Sequence, residues 1–359
     1  MPAKKPLRRA PLKRKTPLSP TPLARGGARA RGLASAGEVA RAAPSKKKGA
    51  GSAVASAPEK RRRSRVTAPP AAGGRTRRSS KAAPLRSASA EDPRAPRPFV
   101  KWAGGKRQLL PQILAKLPPS FGTYHEPFVG GGAVFFAVAA GKKAVLSDSN
   151  ERLVRAYKGI KSDVEQVIAL LDEYPKSREF FLSMRDQDID RRSDAEVAAW
   201  FIYMNKLAFN GLYRVNSKNK FNVPYGDNEN AVICDRDNLR ACARALVNAT
   251  IEREEFLDVG RRAEPGDLVY FDPPYFPLSA TSYFTSYTAR GFTRRDQEKL
   301  RDLAMELKER GVHVLLSNSP PAAELYTKEL GFRVTEVLAA RNVNSKAELR
   351  GKITELLIH

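Results

Sequence analysis

Residues 123–148 constrain this chain more than any other stretch. Thr123-Tyr124-His125-Glu126-Pro127-Phe128 is strand-like, and Val129-Gly130-Gly131-Gly132 follows as a turn. An apolar helix spans 133–140, and Gly141 is a natural stop for it. Ala144-Val145-Leu146 then reads as a short buried strand ending at Ser147-Asp148. Strand, glycine-rich turn, helix, strand, acid is the unit of a parallel α/β sheet. Such a unit binds an adenosine-type ligand at the carboxyl ends of its strands.

The rest of the ordered chain extends this pattern. Order begins at Phe99, and Gln108-Leu109-Leu110-Pro111-Gln112-Ile113-Leu114 has helical spacing. The middle is helical: Ser193 and Glu196 form a capping box ahead of Val197, Trp200, Phe201 and Met204. That helix runs out at Phe209-Asn210-Gly211. Residues 212–226 are polar, basic and aromatic, and read as a hairpin or loop. Asp267-Leu268-Val269-Tyr270-Phe271 is a strand that ends abruptly in Asp272-Pro273-Pro274-Tyr275. A long loop covers 276–292. Thr293 then caps a helix with Leu300, Leu303, Ala304 and Leu307 on one face, closed by Gly311. Residues 312–316, 332–337 and 353–358 are further strands, and there is no internal repeat.

Charge divides the chain. Residues 1–98 hold 26 basic and 4 acidic side chains, so this segment carries +22 of the formal +26. It has no aromatic residue before Phe99 and no apolar periodicity. It therefore lacks the apolar surface that would offset its ordering entropy, and residues 1–96 are expected to be a disordered basic tail. Runs such as Lys46-Lys47-Lys48 and Arg61-Arg62-Arg63 suit a non-specific tether to a polyanion.

The body that follows excludes several chemistries. No stretch is long and apolar enough to span a membrane. Cys234 and Cys242 make no disulfide framework and lack metal-ligand spacing; they fit a reducing, cytoplasmic compartment. His125, His313 and His359 lie far apart, with no metal cluster and no nucleophile–base pattern. The chemistry is left to carboxylates, main-chain groups or a cofactor.

Asp272-Pro273-Pro274-Tyr275 carries the sharpest chemical signal. Two prolines forbid both a continued central strand and entry into a helix, so the backbone is held extended beyond the strand end. An Asp oxygen and the Pro273 carbonyl can then face one pocket. Two acceptors beside an aromatic ring suit a planar group with an exocyclic amine. The amine donates both hydrogens, the ring stacks on Tyr275, and the nitrogen lone pair turns toward an electrophile. The plainer alternative is an Asp capping a turn before a Pro-Pro bend.

With these residues in view, 97–359 resembles the Dam and DpnII-type DNA adenine-N6 methyltransferases that use S-adenosylmethionine. The motifs fall in that family's order. They are Lys101-Trp102-Ala103-Gly104-Gly105-Lys106, Phe128-Val129-Gly130-Gly131-Gly132 and Ser147-Asp148-Ser149-Asn150, then Asn210-Gly211-Leu212-Tyr213-Arg214 through Asn222-Val223-Pro224-Tyr225-Gly226, and Asp272-Pro273-Pro274-Tyr275. The recognition segment before the catalytic tetrapeptide resembles the family's alpha arrangement.

The resemblance implies an α/β fold: a Rossmann-like methyltransferase sheet with helices on both faces and a small helical and hairpin target-recognition insert. It implies that 97–154 and 250–359 form the S-adenosylmethionine-binding catalytic domain and 155–249 the target-recognition domain. The implied catalytic residues are Asp272, Pro273, Pro274 and Tyr275. Implied cofactor contacts are Trp102, Lys106, Phe128, Gly130, Gly132, Asp148, Glu255, Phe256 and Asp272. Asp148 would accept from the ribose hydroxyls, Phe256 would stack on adenine, and Glu255, where the family more often has Asp, would accept from its amine. Asn210, Leu212, Arg214 and Pro224 would meet the bases, with Phe209 beside Asn210 at the extruded base. Lys206, Lys218 and Lys220 would touch phosphates.

Double-stranded DNA, read at GATC with the target adenine flipped out, is the implied partner, and no metal is called for. The resemblance also implies a monomer in the cytoplasm, associated with the nucleoid, and leaves open a cognate restriction endonuclease. Three rivals stand beside this reading: cytosine-N4 methylation, an RNA or protein amide substrate, and a catalytically inactive DNA-binding relative.

Overall fold

The computed structural model describes residues 94–276, 291–340 and 352–359. The expected basic tail up to residue 93 and most of the expected loop, 277–290, lie outside the described residues.

Among the described residues, seven strands form one sheet. They are β1 (Tyr124–Glu126), β2 (Ala144–Asp148), β3 (Ala249–Arg253), β4 (Leu268–Phe271), β5 (His313–Asn318), β6 (Val334–Ala340) and β7 (Lys352–Ile358). Their order is β3-β2-β1-β4-β5-β7-β6. β1 to β5 are parallel, and β7 pairs antiparallel with both β5 and β6. Tyr124 of β1 sits opposite Ala144 on one side and Leu268 on the other. The chain runs outward from β1 through β2 and then β3, and returns to β1's other flank as β4. Strand order thus reverses between β1 and β4, and a crevice at the carboxyl ends of such strands is where open α/β sheets bind ligands.

The α-helices among the described residues are α1 (Leu110–Leu114), α2 (Ala133–Val138), α3 (Glu151–Ser162), α4 (Val164–Glu173), α5 (Arg178–Arg185), α6 (Asp194–Leu207), α7 (Arg236–Ala245) and α8 (Arg294–Glu309), and both faces of the sheet are covered. Leu268 and Tyr270 of β4, with Leu315 and Leu357, join one buried cluster. The alternate residues Val269, Phe271, Val314, Leu316 and Ile358 join the other, with Leu300, Leu303 and Leu307 of helix α8 (Arg294–Glu309). Side chains of a strand alternate between faces, so two clusters on alternate residues mean a sheet buried on both sides.

Capping side chains set the helix starts as the sequence suggests. Ser193 and Glu196 form the capping box of α6 (Asp194–Leu207), and Thr293 and Asp296 that of α8. Helix α2 (Ala133–Val138) ends before Gly141, whose φ is +73°. Helix α3 (Glu151–Ser162) starts from Asn150, whose side chain accepts the Leu153 N–H. Asp148 is therefore not the cap of this helix.

Helix α6 is apolar nearly all round and buried, the signature of a central helix. α3 lies against it: a side chain at Gly159 would collide with the main chain of Asp194. Arg152 meets Asp190 at 2.6 Å and Arg155 meets Asp194 at 2.6 Å, fastening the same junction. The domain boundary expected between residues 154 and 155 falls inside α3. One continuous helix is thus shared by both expected parts, and one buried cluster runs through both.

Candidate active site

The tetrapeptide follows β4 directly, and the glycine-rich turn follows β1, so the two motifs flank the point where strand order reverses. Asp272 is half-buried. Its Oδ1 accepts from Lys106 Nζ at 2.9 Å and from Ser317 Oγ at 2.8 Å. Lys106, only 3% exposed, also donates to the Gly104 carbonyl and lies 4.9 Å from the centre of the Tyr275 ring. The Tyr275 hydroxyl donates to Glu355 Oε2 at 2.6 Å. Burial, then the Asp272 and Glu355 carboxylates, hold the phenol well above its usual range, so it remains a donor and its ring stays fixed. Glu355 comes from β7 and is 4.0 Å from Lys106 Nζ. Lys106, expected at the cofactor, is thus placed on Asp272.

Glu126, at the end of β1, was missed by the sequence reading. It is buried, and its Oε2 accepts from the Tyr124 hydroxyl at 2.8 Å and from the Phe135 N–H of α2 at 3.1 Å. Burial pushes its carboxyl up to about 8, against the hydrogen bond from Tyr124; the nearby Asp272 adds to the rise. It ties the strand before the glycine-rich turn to the helix after it. Ser317 and Glu355 were missed as well. Each is a polar residue beside a buried leucine on its strand, Leu316 and Leu356, and nothing else in the sequence set it apart.

The turn itself needs glycine twice. Gly130 and Gly132 have φ of +46° and +67°. A Cβ at Gly130 would lie 2.6 Å from Trp102, and one at Gly132 2.6 Å from the Tyr157 hydroxyl. Trp102 packs parallel to Phe201 and Tyr213, with centroids 6.1 and 5.9 Å away. Asp148, at the end of β2, accepts the Gly130 N–H at 3.1 Å and the Asn150 N–H at 3.0 Å. Burial raises its carboxyl to about 6 even against those two donors. Phe128 stacks on Phe256 at 5.5 Å, and Phe292 meets both rings edge-on at 5.7 and 5.4 Å. Glu255 is exposed at the start of the short 3-10 helix Phe256–Arg261, and its N–H donates to Asp258 Oδ2 at 3.2 Å.

This donor set fits an adenosine-bearing cofactor. A strand-end carboxylate holds two main-chain N–H groups yet keeps lone pairs for hydroxyls. Aromatic faces lie close by, and the turn between them has no side chains to obstruct an approach.

Beyond α6 the chain forms an irregular hairpin. Isolated bridges join Ala208 to Tyr225 and Val215 to Phe221. The Phe209 and Gly226 N–H groups donate to the Pro224 and Leu207 carbonyls at 2.9 and 2.7 Å. Asn216 Oδ1 accepts the Lys218 and Lys220 N–H groups and closes the tip. Tyr213, Phe221 and Val223 face inward, whereas Arg214, Lys218, Lys220 and Pro224 are exposed and Leu212 is half-buried. Arg214 leans on Asn222, with Nε 2.8 Å from Oδ1 and Nη2 3.2 Å from the carbonyl. Asn210 is exposed with φ +55°, beside Phe209, which is 47% exposed. Lys206 is placed differently: it is half-buried on α6, and burial, then Lys101, pulls its ammonium below the usual lysine range.

Asn205, fully buried, joins the hairpin to the segment that leads into Trp102. It accepts the Lys101 N–H at 2.7 Å and donates to the carbonyls of Lys101 and Gly211 at 2.9 and 2.8 Å.

Residues 102–343 match a family model described as the D12 class N6 adenine-specific DNA methyltransferase. The chain is 46% identical over 272 residues to the Type II methyltransferase M1.LlaDCHI of Lactococcus lactis subsp. cremoris, covering 73% of this chain and 94% of that one. It is 41% identical over 283 residues to the Type II methyltransferase M.MjaIII of Methanocaldococcus jannaschii, covering 73% and 98%. It is 34% identical over 267 residues to the DNA adenine methylase of Escherichia coli, covering 73% and 94%.

Proposed function

The chain belongs to the D12 class of N6 adenine-specific DNA methyltransferases, and on that premise we propose that it uses S-adenosylmethionine to methylate adenine within GATC, at the pocket bordered by Asp272 and Tyr275. The observation that carries this reading is the junction of the tetrapeptide after β4 with the glycine-rich turn after β1 and Asp148 at the end of β2.

When bound, S-adenosylmethionine supplies an electrophilic methyl group. Asp148 would hold its ribose hydroxyls, Phe256, backed by Phe128, would stack on its adenine, and the turn at Gly130 and Gly132 would admit its methionine part. Trp102 backs that turn. Glu255, exposed at the rim, accepts from the adenine amine.

The target amine is bound by acceptors. Asp272 Oδ1 is already engaged by Lys106 and Ser317, which leaves Oδ2 for one amine hydrogen and the Pro273 carbonyl for the other. Pro274 holds the main chain extended. Tyr275, fixed by Glu355, stacks on the base. Both amine hydrogens can be given up only when the adenine leaves its pairing partner, so the base is extruded from the duplex. The proton shed by the methylated nitrogen passes to Asp272 Oδ2.

Recognition is assigned to 155–249 and chemistry to 97–154 with 250–359, the two parts sharing α3. Arg214 reads a guanine edge, Leu212 and Pro224 touch apolar base edges, and Asn210 with Phe209 fills the gap beside the extruded base. Lys218 and Lys220, and less directly the half-buried Lys206, contact phosphates.

The test uses matched duplexes with and without GATC, a methyl donor labelled on its methyl group, and analysis of the digested nucleosides. Label in N6-methyladenine from the GATC duplex alone is expected. Label in N4-methylcytosine, or equal labelling of both duplexes, contradicts the proposal.

A further inference from the structure

Beneath the tetrapeptide lies a polar cluster that the roles assigned above leave unused. Gln297, on α8, is 2% exposed, and Asn318, at the end of β5, is fully buried. Amides are rarely buried so deeply unless their polar atoms are paired. Gln297 Nε2 donates to the Pro274 carbonyl at 2.9 Å, and its Oε1 accepts from Asn318 Nδ2 at 3.0 Å. Asn318 Oδ1 accepts the Phe276 N–H at 3.3 Å and the Ser319 N–H at 2.8 Å. Ser319 Oγ in turn donates to the Phe276 carbonyl at 2.8 Å. The main chain is thus gripped at 274 and at 276, on both sides of Tyr275.

The need for such a grip follows from the prolines. Neither Pro273 nor Pro274 has an N–H, so no sheet ladder can hold this segment once β4 ends. Its carbonyls are the remaining handles. Gln297 takes that of Pro274. Among the described residues, no donor reaches the Pro273 carbonyl or Asp272 Oδ2. With the Pro274 carbonyl released, the peptide planes could rotate and change which acceptors face the pocket.

We propose that Gln297 and Asn318 are positioning residues: by occupying the Pro274 carbonyl and the Phe276 N–H, they aim the Pro273 carbonyl and Asp272 at the target amine. This inference rests on the reading that those two acceptors hold the amine.

Gln297→Glu separates aiming from mere packing, because it keeps the shape and changes the donors. An ionised Glu has no donor for the Pro274 carbonyl and repels it. A protonated Glu offers one O–H donor and one carbonyl acceptor, enough for the two bonds the amide makes here. The measurement is the single-turnover methyl-transfer rate of the full chain against pH, as a ratio to wild type. Dissociation constants for cofactor and DNA, and thermal stability, are measured beside it.

At alkaline pH Gln297→Glu should be about 10- to 100-fold slow, the scale of a small misplacement of reacting groups. The gap should close as pH falls and the Glu takes up a proton, with both dissociation constants within about twofold of wild type. Gln297→Ala should be slow at every pH. A Gln297→Glu profile parallel to wild type, at equal height or uniformly lowered, overturns the proposal.

Asp272→Ala is run in parallel. Retained turnover there sinks the reading of the pocket itself, whereas a dead Asp272→Ala beside a parallel Gln297→Glu sinks the positioning role alone. Should Gln297→Glu fail to fold, Ser319→Ala removes a single hydroxyl from the same cluster. Transfer roughly fivefold slower with unchanged affinities supports the role, and wild-type transfer overturns it.

Discussion

Asp272 and Arg214 carry the proposed chemistry and the proposed recognition, and their surroundings differ in kind. Asp272 is held by Lys106 and Ser317, and the main chain after it is gripped by Gln297 and Asn318. Arg214 is exposed and leans on Asn222 across a hairpin joined by isolated bridges. The difference follows from what each group must do. Methyl transfer needs acceptors fixed before the substrate arrives, because misplaced reacting groups lose most of the benefit of binding. Reading a base edge needs a fork that is reachable and able to exchange a local partner for guanine. Burial serves the first need and would defeat the second.

Substitutions should therefore separate into turnover effects and discrimination effects. The largest is Asp272→Ala. It should lower the single-turnover rate by at least about 100-fold while DNA affinity stays near wild type. A parallel collapse of DNA binding would erase the proposed division. Next comes Arg214→Ala. Discrimination at one guanine position should fall by on the order of 1–3 kcal/mol, with transfer on the cognate site much less affected. An equal loss of affinity for every DNA sequence would make Arg214 a phosphate contact.

On the buried side the expected effect is on folding stability rather than on turnover, as a pH dependence. Glu126, with an ordinary value of 4.5, is raised to about 8 in the fold. Between those values the native state keeps a proton that the unfolded chain has lost. Stability therefore falls as pH rises through that window, by up to about 1.4 kcal/mol per pH unit, and levels off above it. Glu126→Gln has no such proton and should remove that slope in denaturant titrations run across the window. An unchanged slope would mean that Glu126 is not the group responsible.

Much of this was legible in the sequence because it depends on local rules. The strand–turn–helix–strand unit at 123–148, the caps at Ser193 and Thr293, and the abrupt end of β4 at Asp272 all follow from spacing and side-chain type. What stayed hidden depends on which strands become neighbours. Glu355 reaches Tyr275 only because β7 inserts antiparallel between β5 and β6. Ser317 and Asn318 meet the tetrapeptide only because β5 lies beside β4. Lys106 was singled out, but its partner was not, because an ion pair to Asp272 bridges the start of the body and the end of β4. The expected boundary at 154 cut a helix because a change of role along the chain need not coincide with the end of an element.

The most direct test of the proposed division is methylation-sensitive sequencing of DNA from a methylation-free host. The host would express the wild-type chain, Asp272→Ala or Arg214→Ala in turn. N6-methyladenine at GATC is expected for the wild type and none for Asp272→Ala. For Arg214→Ala, N6-methyladenine should spread to sites that differ from GATC at one guanine position. Methylation on cytosine, methylation persisting in Asp272→Ala, or an Arg214→Ala pattern confined to GATC at uniformly lower occupancy would contradict the proposed division.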